Sequence, residues 1–178
     1  MQVQILNHTS RIAFLVIVLL GGSGILYAQV SSTATSIGID AKIIAPITIE
    51  NTGSTPINFG TVSRASIAGS VTVTADETRT STGGVSVLNS SSFSAAPFGV
   101  SGENSATFNI TLPVNGTVEL TRSGGSEKMA VNDFTHNSNL LLSTGGTSTF
   151  NVGATLTVAA DQVPGEYSGS FSVTVAYQ

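Results

Sequence analysis

After residue 28 the chain alternates apolar and polar positions with a period of two, and no stretch sustains a helical period. The clearest case is the last twelve residues. There Tyr167, Phe171, Val173, Val175 and Tyr177 share one face, and Ser168, Ser170, Ser172 and Thr174 share the other. The turn Val163-Pro-Gly-Glu166 precedes this segment. The same alternation predicts strands near 33–43, 47–50, 57–62, 69–75, 84–89, 93–100, 106–112, 117–122, 129–135, 148–159 and 166–177. Between them lie turn residues: Asn51-Thr-Gly-Ser-Thr-Pro56, Thr82-Gly-Gly84, Ser101-Gly-Glu-Asn104, Asn115-Gly116, Ser123-Gly-Gly125, Thr144-Gly-Gly146 and Pro164-Gly165. Many short strands with turns this close predict an all-β fold, an antiparallel sandwich or barrel.

Three pairings follow from the faces. Phe150, Val152, Ala154, Leu156 and Val158 alternate with polar residues up to Pro164-Gly165, which predicts a long hairpin with the last strand. Ala106, Phe108, Ile110 and Leu112 offer a third apolar face to the core, and Asn115-Gly116 reads as a hairpin turn into Val118 and Leu120. Near the other end, Thr35, Ile37, Ile39, Ala41 and Ile43 alternate with Ser36, Gly38, Asp40 and Lys42. This segment is either the domain's own first strand or a strand lent to a neighbouring subunit.

The beginning of the chain reads as an address. Arg11 precedes the apolar run Ile12–Leu20, and small residues follow to Ala28, the order of a secretory signal cut after residue 28. An apolar stretch broken by Gly21-Gly-Ser-Gly24 is short for a permanent anchor, so no span is expected in the mature chain. Residues 29–178 then form a single domain, secreted across the inner membrane to the periplasm, the cell surface or the medium. That portion carries five basic and ten acidic residues, the basic ones scattered singly, which disfavours nucleic acid. Cysteine is absent, so burial and strand pairing carry the stability without a disulfide.

Catalytic chemistry is poorly supplied. His136 is the one histidine after the signal, and Asp133, three residues away, cannot build a triad with it on a strand. No Gly-x-Ser-x-Gly elbow, zinc ligand set or phosphate-binding loop is present. Asp76-Glu77 could contribute to a calcium site but lacks the loop pattern around it. The expectation is a protein that is not an enzyme, with no cofactor and no metal.

Two resemblances bear on function. Gly165 stands fourteenth from the end and Tyr177 is penultimate, and with the alternating Phe171, Val173 and Val175 they resemble the C-terminal strand motif of chaperone-usher pilus subunits. The resemblance implies that Gly165, Phe171, Val173, Val175 and Tyr177 face a periplasmic chaperone, and that Ile37, Ile39, Ala41 and Ile43 are donated to the next subunit. Partners would be the chaperone, an outer-membrane usher and further copies of the chain, self-associating into fibres. Along nearly all of 34–178 the chain is also similar to an exported bacterial family of unknown function, numbered forty-four-oh-two, laid out like spore-coat-U-like pilins. The matching landmarks are Ala45-Pro-Ile-Thr-Ile49, Phe59-Gly60, Val71-Thr-Val-Thr74, Phe98-Gly-Val-Ser-Gly102, Thr107–Pro113, Phe150–Leu156 and Pro164–Gly169. The implied fold is an immunoglobulin-like β-sandwich with Greek-key character. The implied role is a pilin-like structural subunit, with a self-complete binding or adhesion module as the alternative.

Overall fold

The structure, a computed structural model, describes residues 33–178; the expected signal segment and residues 29–32 lie outside them. The described chain is nearly all β. Its strands are β1 (Thr48–Asn51), β2 (Val62–Ser63), β3 (Gly69–Val73), β4 (Arg79–Gly83), β5 (Ser86–Val87), β6 (Ala96–Ser101), β7 (Phe108–Thr111), β8 (Val118–Arg122), β9 (Lys128–His136), β10 (Thr147–Val158), β11 (Tyr167–Ser168) and β12 (Thr174–Tyr177).

β10 is the spine. Along one edge it pairs with β6 through residues 147–152 and then with β3 through 154–158; along the other it pairs with β9. The main sheet runs β1-β6-β10-β9-β8-β11, with β3 and β4 branching from β10, and all pairings are antiparallel. β7 and β12 form a second, two-stranded sheet, and β2 with β5 a third. After β6 the chain crosses to β7 in the second sheet and returns through β8 and β9, the long return of a Greek-key layout.

The alternation in β10 explains its place. Phe150, Val152, Ala154, Leu156 and Val158 are all buried and feed two adjoining apolar clusters. Val71, Val73, Val118 and Val131 complete the first, and Val100, Phe108 and Leu142 the second. Gly153 lies where β3 and the turn after it come closest, so an added Cβ would collide with the backbone of Val73, Thr74 and Ala75. Beside it the register between β10 and β9 shifts, with Asp133 at φ 51° taking the extra residue of the bulge.

Several expectations need correction. The hairpin of 150–158 with 166–177 does not form, because both edges of β10 are already taken; the last strand crosses instead to β8, then to β7. Its register is Tyr167↔Arg122 at one end and Tyr177↔Phe108 at the other. Asn115-Gly116 does turn the chain, with Gly116 at φ 83°, but it joins β7 to β8 across two sheets rather than closing a hairpin. Residues 33–47 hold no strand, since none of them has a sheet partner among the described residues. β4, with the sequence Arg-Thr-Ser-Thr-Gly, was not expected; both its faces are largely solvated, so it shows no apolar alternation.

Phe108 has no exposed surface, whereas Val114 is 74% exposed. Phe108→Ala is expected to cost about 3–5 kcal/mol and Val114→Ala less than about 0.5 kcal/mol, read as shifts in the urea unfolding midpoint.

Candidate functional site

The described residues form an apolar-floored groove, a cavity of about 610 Å³ between the segment 56–64 and the segment 163–169. Its floor is Leu120, Met129, Leu156 and Val158, the open flank of the first core cluster. Both walls are backbone with bonds to spare. Asn58 exchanges both of its backbone bonds with Ser94, which turns the backbone groups of its neighbours to the other edge. There the N–H and C=O of Ile57 and the N–H of Phe59 have no hydrogen-bond partner among the described residues. The opposite wall ends at Gly169; the last strand is paired through β11 and again through β12, and from Gly169 to Val173 it makes no backbone hydrogen bond among the described residues.

The unpaired stretch is held by a side chain instead. Phe171 packs on Phe134 at 5.1 Å between ring centroids and meets Phe98 edge-on at 6.4 Å. Phe98 in turn stacks on Phe150, its direct cross-strand partner, at 5.6 Å. Phe171, Val173, Val175 and Tyr177 all face inward as the alternation predicts, yet each is only half-buried.

Gly165 lines the groove at φ 151°, a conformation that L side chains rarely adopt, and an added Cβ would lie 2.9 Å from Arg122 Cδ. Arg122 is itself fixed by Glu127, with Nε donating to Oε2 at 2.7 Å and Nη2 to Oε1 at 3.3 Å. That hydrogen bond raises the Arg122 pKa and holds the Glu127 carboxyl below its ordinary range. The other wall is riveted by Arg79, which donates to Phe59 O, Ser91 Oγ and Leu88 O and lies 4.7 Å above the Phe93 ring.

Apart from the groove's lining, a second cluster ties the last strand to the segment before β1. Tyr177 Oη donates to Ala45 O at 2.7 Å and accepts from the Glu103 N–H at 2.6 Å, while Glu103 Oε2 accepts from the Ala45 N–H at 3.2 Å. Glu103 also pairs with Lys42 at 3.4 Å. The bond from Ala45, followed by Lys42, lowers the Glu103 pKa.

Of the expected last-strand residues, Gly165 lines the groove, while Phe171, Val173, Val175 and Tyr177 lie farther along the strand and pack against the second core cluster. Ile37, Ile39, Ala41 and Ile43 carry no secondary structure, and Ile37, Ile39 and Ile43 are 84%, 95% and 96% exposed. Sequence reasoning missed the opposite wall, Ile57 and Phe59, and the floor residues Leu120 and Met129. The landmark Phe59-Gly60 was the available signal for that wall. His136 is the last residue of β9, its Nδ1 accepting from the Ser138 N–H and its ring set against Phe150. Asp76 accepts from Asn137 Nδ2.

A family model, described as a domain of unknown function (DUF4402), matches residues 47–177. The chain belongs to this family. The matched span contains the floor and both walls of the groove, and it begins two residues after Ala45, so the exposed apolar segment precedes it. No curated protein and no solved structure matches the chain.

Two outcomes follow from the geometry. Gly165→Ala is expected to cost roughly 1–3 kcal/mol in urea unfolding, since the new methyl must displace Arg122 as well as strain the backbone. Glu103 and Glu127 both bind protons more weakly folded than unfolded, so their contribution is complete above the ordinary glutamate range and is lost as pH falls through their lower folded values. Carboxyl NMR titration should show both groups titrating low. The acid-side fall in stability should shrink in a Glu103→Gln, Glu127→Gln double variant.

Proposed function

We propose that this protein is an exported, non-enzymatic surface subunit of pilin-like type, in which the apolar N-terminal segment of one copy completes the groove of another. The observation that supports this reading is the groove itself, with unpaired backbone on both walls, an apolar floor and half-buried side chains on the last strand. The complementary element is present in the same chain. Ile37, Ile39, Ala41 and Ile43 alternate with Gly38, Asp40 and Lys42 in a segment that is exposed and carries no secondary structure.

Magnitudes favour a strand over a loosely docked peptide. Burying the three isoleucines is worth roughly 5–9 kcal/mol, while ordering about seven backbone residues costs roughly 7–14 kcal/mol. Side chains alone do not hold such a segment, and the free N–H and C=O groups of the walls supply the remainder by strand addition. Contact of this kind is head-to-tail, so it propagates into a fibre rather than closing a ring. A periplasmic chaperone would cover the same groove before assembly, and an usher would exchange it for the next copy. No helix among the described residues is long and apolar enough to cross a membrane.

The chain recovered from the surface fraction of its host is expected to give a ladder on unboiled denaturing gels that collapses to monomer on boiling. Deleting residues 29–44 should abolish the ladder and leave a folded monomer. Monomer under both conditions, with the deleted chain unfolded, identifies the self-complete binding module instead.

A further inference from the structure

β4 ends the branch of the main sheet that leaves β10 through β3, and its outer edge has no strand partner among the described residues. The pairing with β3 fixes which backbone groups look outward. Thr74 N–H donates to Thr78 O and Gly84 N–H to Ala68 O, with Thr72 opposite Thr80 and Ser70 opposite Thr82 between them. Thr80 and Thr82 therefore turn their backbone groups to β3. Those of Arg79 and Ser81, and the N–H of Gly83, face the other way and meet no group of the described chain. Such an edge is usually guarded by a lysine, a proline or a bulge. This one is not: β3 and β4 pair without a bulge, no proline, lysine or acidic residue stands among Arg79–Gly83, and Thr80, Ser81, Thr82 and Gly83 are exposed. Its one charge is already engaged, since the Arg79 guanidinium donates to Phe59 O, Ser91 Oγ and Leu88 O. We propose that this edge pairs with the same edge of a second copy, antiparallel about a two-fold axis at Ser81, so that one sheet runs through both copies.

The residues along the edge select that occupant. About an axis at Ser81, the two Ser81 residues exchange a pair of hydrogen bonds, and each Gly83 N–H meets the Arg79 C=O of the other copy. Arg79 then stands opposite a glycine, with no side chain to obstruct it. Asp76 and Glu77 fall opposite Ser86 and Val85, so like charges do not meet across the junction although the chain is acidic. Parallel pairing in register would instead set Arg79 on Arg79 and Glu77 on Glu77. Moving the axis to Thr80 sets Gly83 against Glu77, which has left the extended region at φ 57°, and moving it to Thr82 sets Arg79 against Val85, outside any strand. The contact covers no apolar face, so its specificity lies in the ladder and it is weak between single copies. None of Arg79–Gly83 lines the groove, so the pairing stands apart from the assembly reading above. Repeated at every subunit along two filaments, it gains strength by multivalency.

The chain has no cysteine, so introduced thiols report this contact alone. In the proposed register Thr80 faces Thr82 of the second copy as a non-hydrogen-bonded pair, roughly 4.5 Å between Cα atoms and within disulfide reach. Two Thr80 residues, or two Thr82 residues, are offset along the strands and stand roughly 8 Å apart, beyond that reach. The full chain is prepared as Thr80→Cys and as Thr82→Cys, with tags of different length, and oxidised separately and as an equimolar mixture. The mixture is expected to form a mixed disulfide dimer roughly tenfold faster than either variant forms its own. Adding Ser81→Pro to both chains should slow the mixture by roughly tenfold and leave the fold intact, because the N–H that proline removes points away from β3. Ser81→Lys, which opposes two like charges at the axis, decides the point if the proline variant unfolds. Equal rates in all three oxidations, or no dimer in any, overturn the proposal. Undiminished crosslinking in folded Ser81→Pro or Ser81→Lys chains overturns it as well, and a dimer from one variant alone in place of the mixture overturns the axis at Ser81.

Discussion

A strand whose backbone is unpaired over part of its length needs another source of order, and the last strand of this domain is such a strand. β11 and β12 are anchored to β8 and β7, two different sheets, and the five residues between them carry no backbone bond among the described residues. What holds the middle in place is Phe171, set between Phe98 and Phe134 where the two core clusters adjoin. The arrangement is stable because side-chain burial stands in for the missing ladder, and it is incomplete for the same reason. Packing fixes the position of the chain without satisfying its N–H and C=O groups.

The rest of the architecture follows from where strands can end. β10 uses both edges, so the chain that leaves it at Val158 has no place beside it and must travel to the far side of the sheet. The loop it takes is tied down by Arg64, which donates to the carbonyls of Asp161 and Gln162, and by the bond of the Asp161 N–H to Ala65 O. That loop becomes one rim of the groove. The opposite rim is stiffened by Arg79, whose guanidinium joins Phe59, Leu88 and Ser91 into one piece. With no cysteine available, arginines set the separation of the walls.

Much of the fold was legible in the alternation, and the failures have physical causes. Val71, Val73, Phe108 and the inward residues of β10 are buried as their period requires, because a face packed on a core leaves its signature in the sequence. β4 left none, since an edge strand solvated on both faces needs no apolar residues. The pairing of the last strand was misjudged because a Pro-Gly turn marks a reversal without naming the partner, and the partner depends on which edges remain free. On the site, the inward face of the last strand was legible in its alternation, Phe171, Val173, Val175 and Tyr177 all being partly buried. The wall at Ile57 and Phe59 was not, because its unpaired groups belong to the backbone and every residue type carries them. The hydrogen-bonded cluster of residues 42, 45, 103 and 177 is brought together only by the fold.

Because the five residues between β11 and β12 are placed by an aromatic contact and not by a ladder, their order is concentrated in a single side chain. Protection from proton exchange in that stretch cannot come from hydrogen bonds to the rest of the described chain, so it rests on how rarely Phe171 leaves its place beside Phe98 and Phe134.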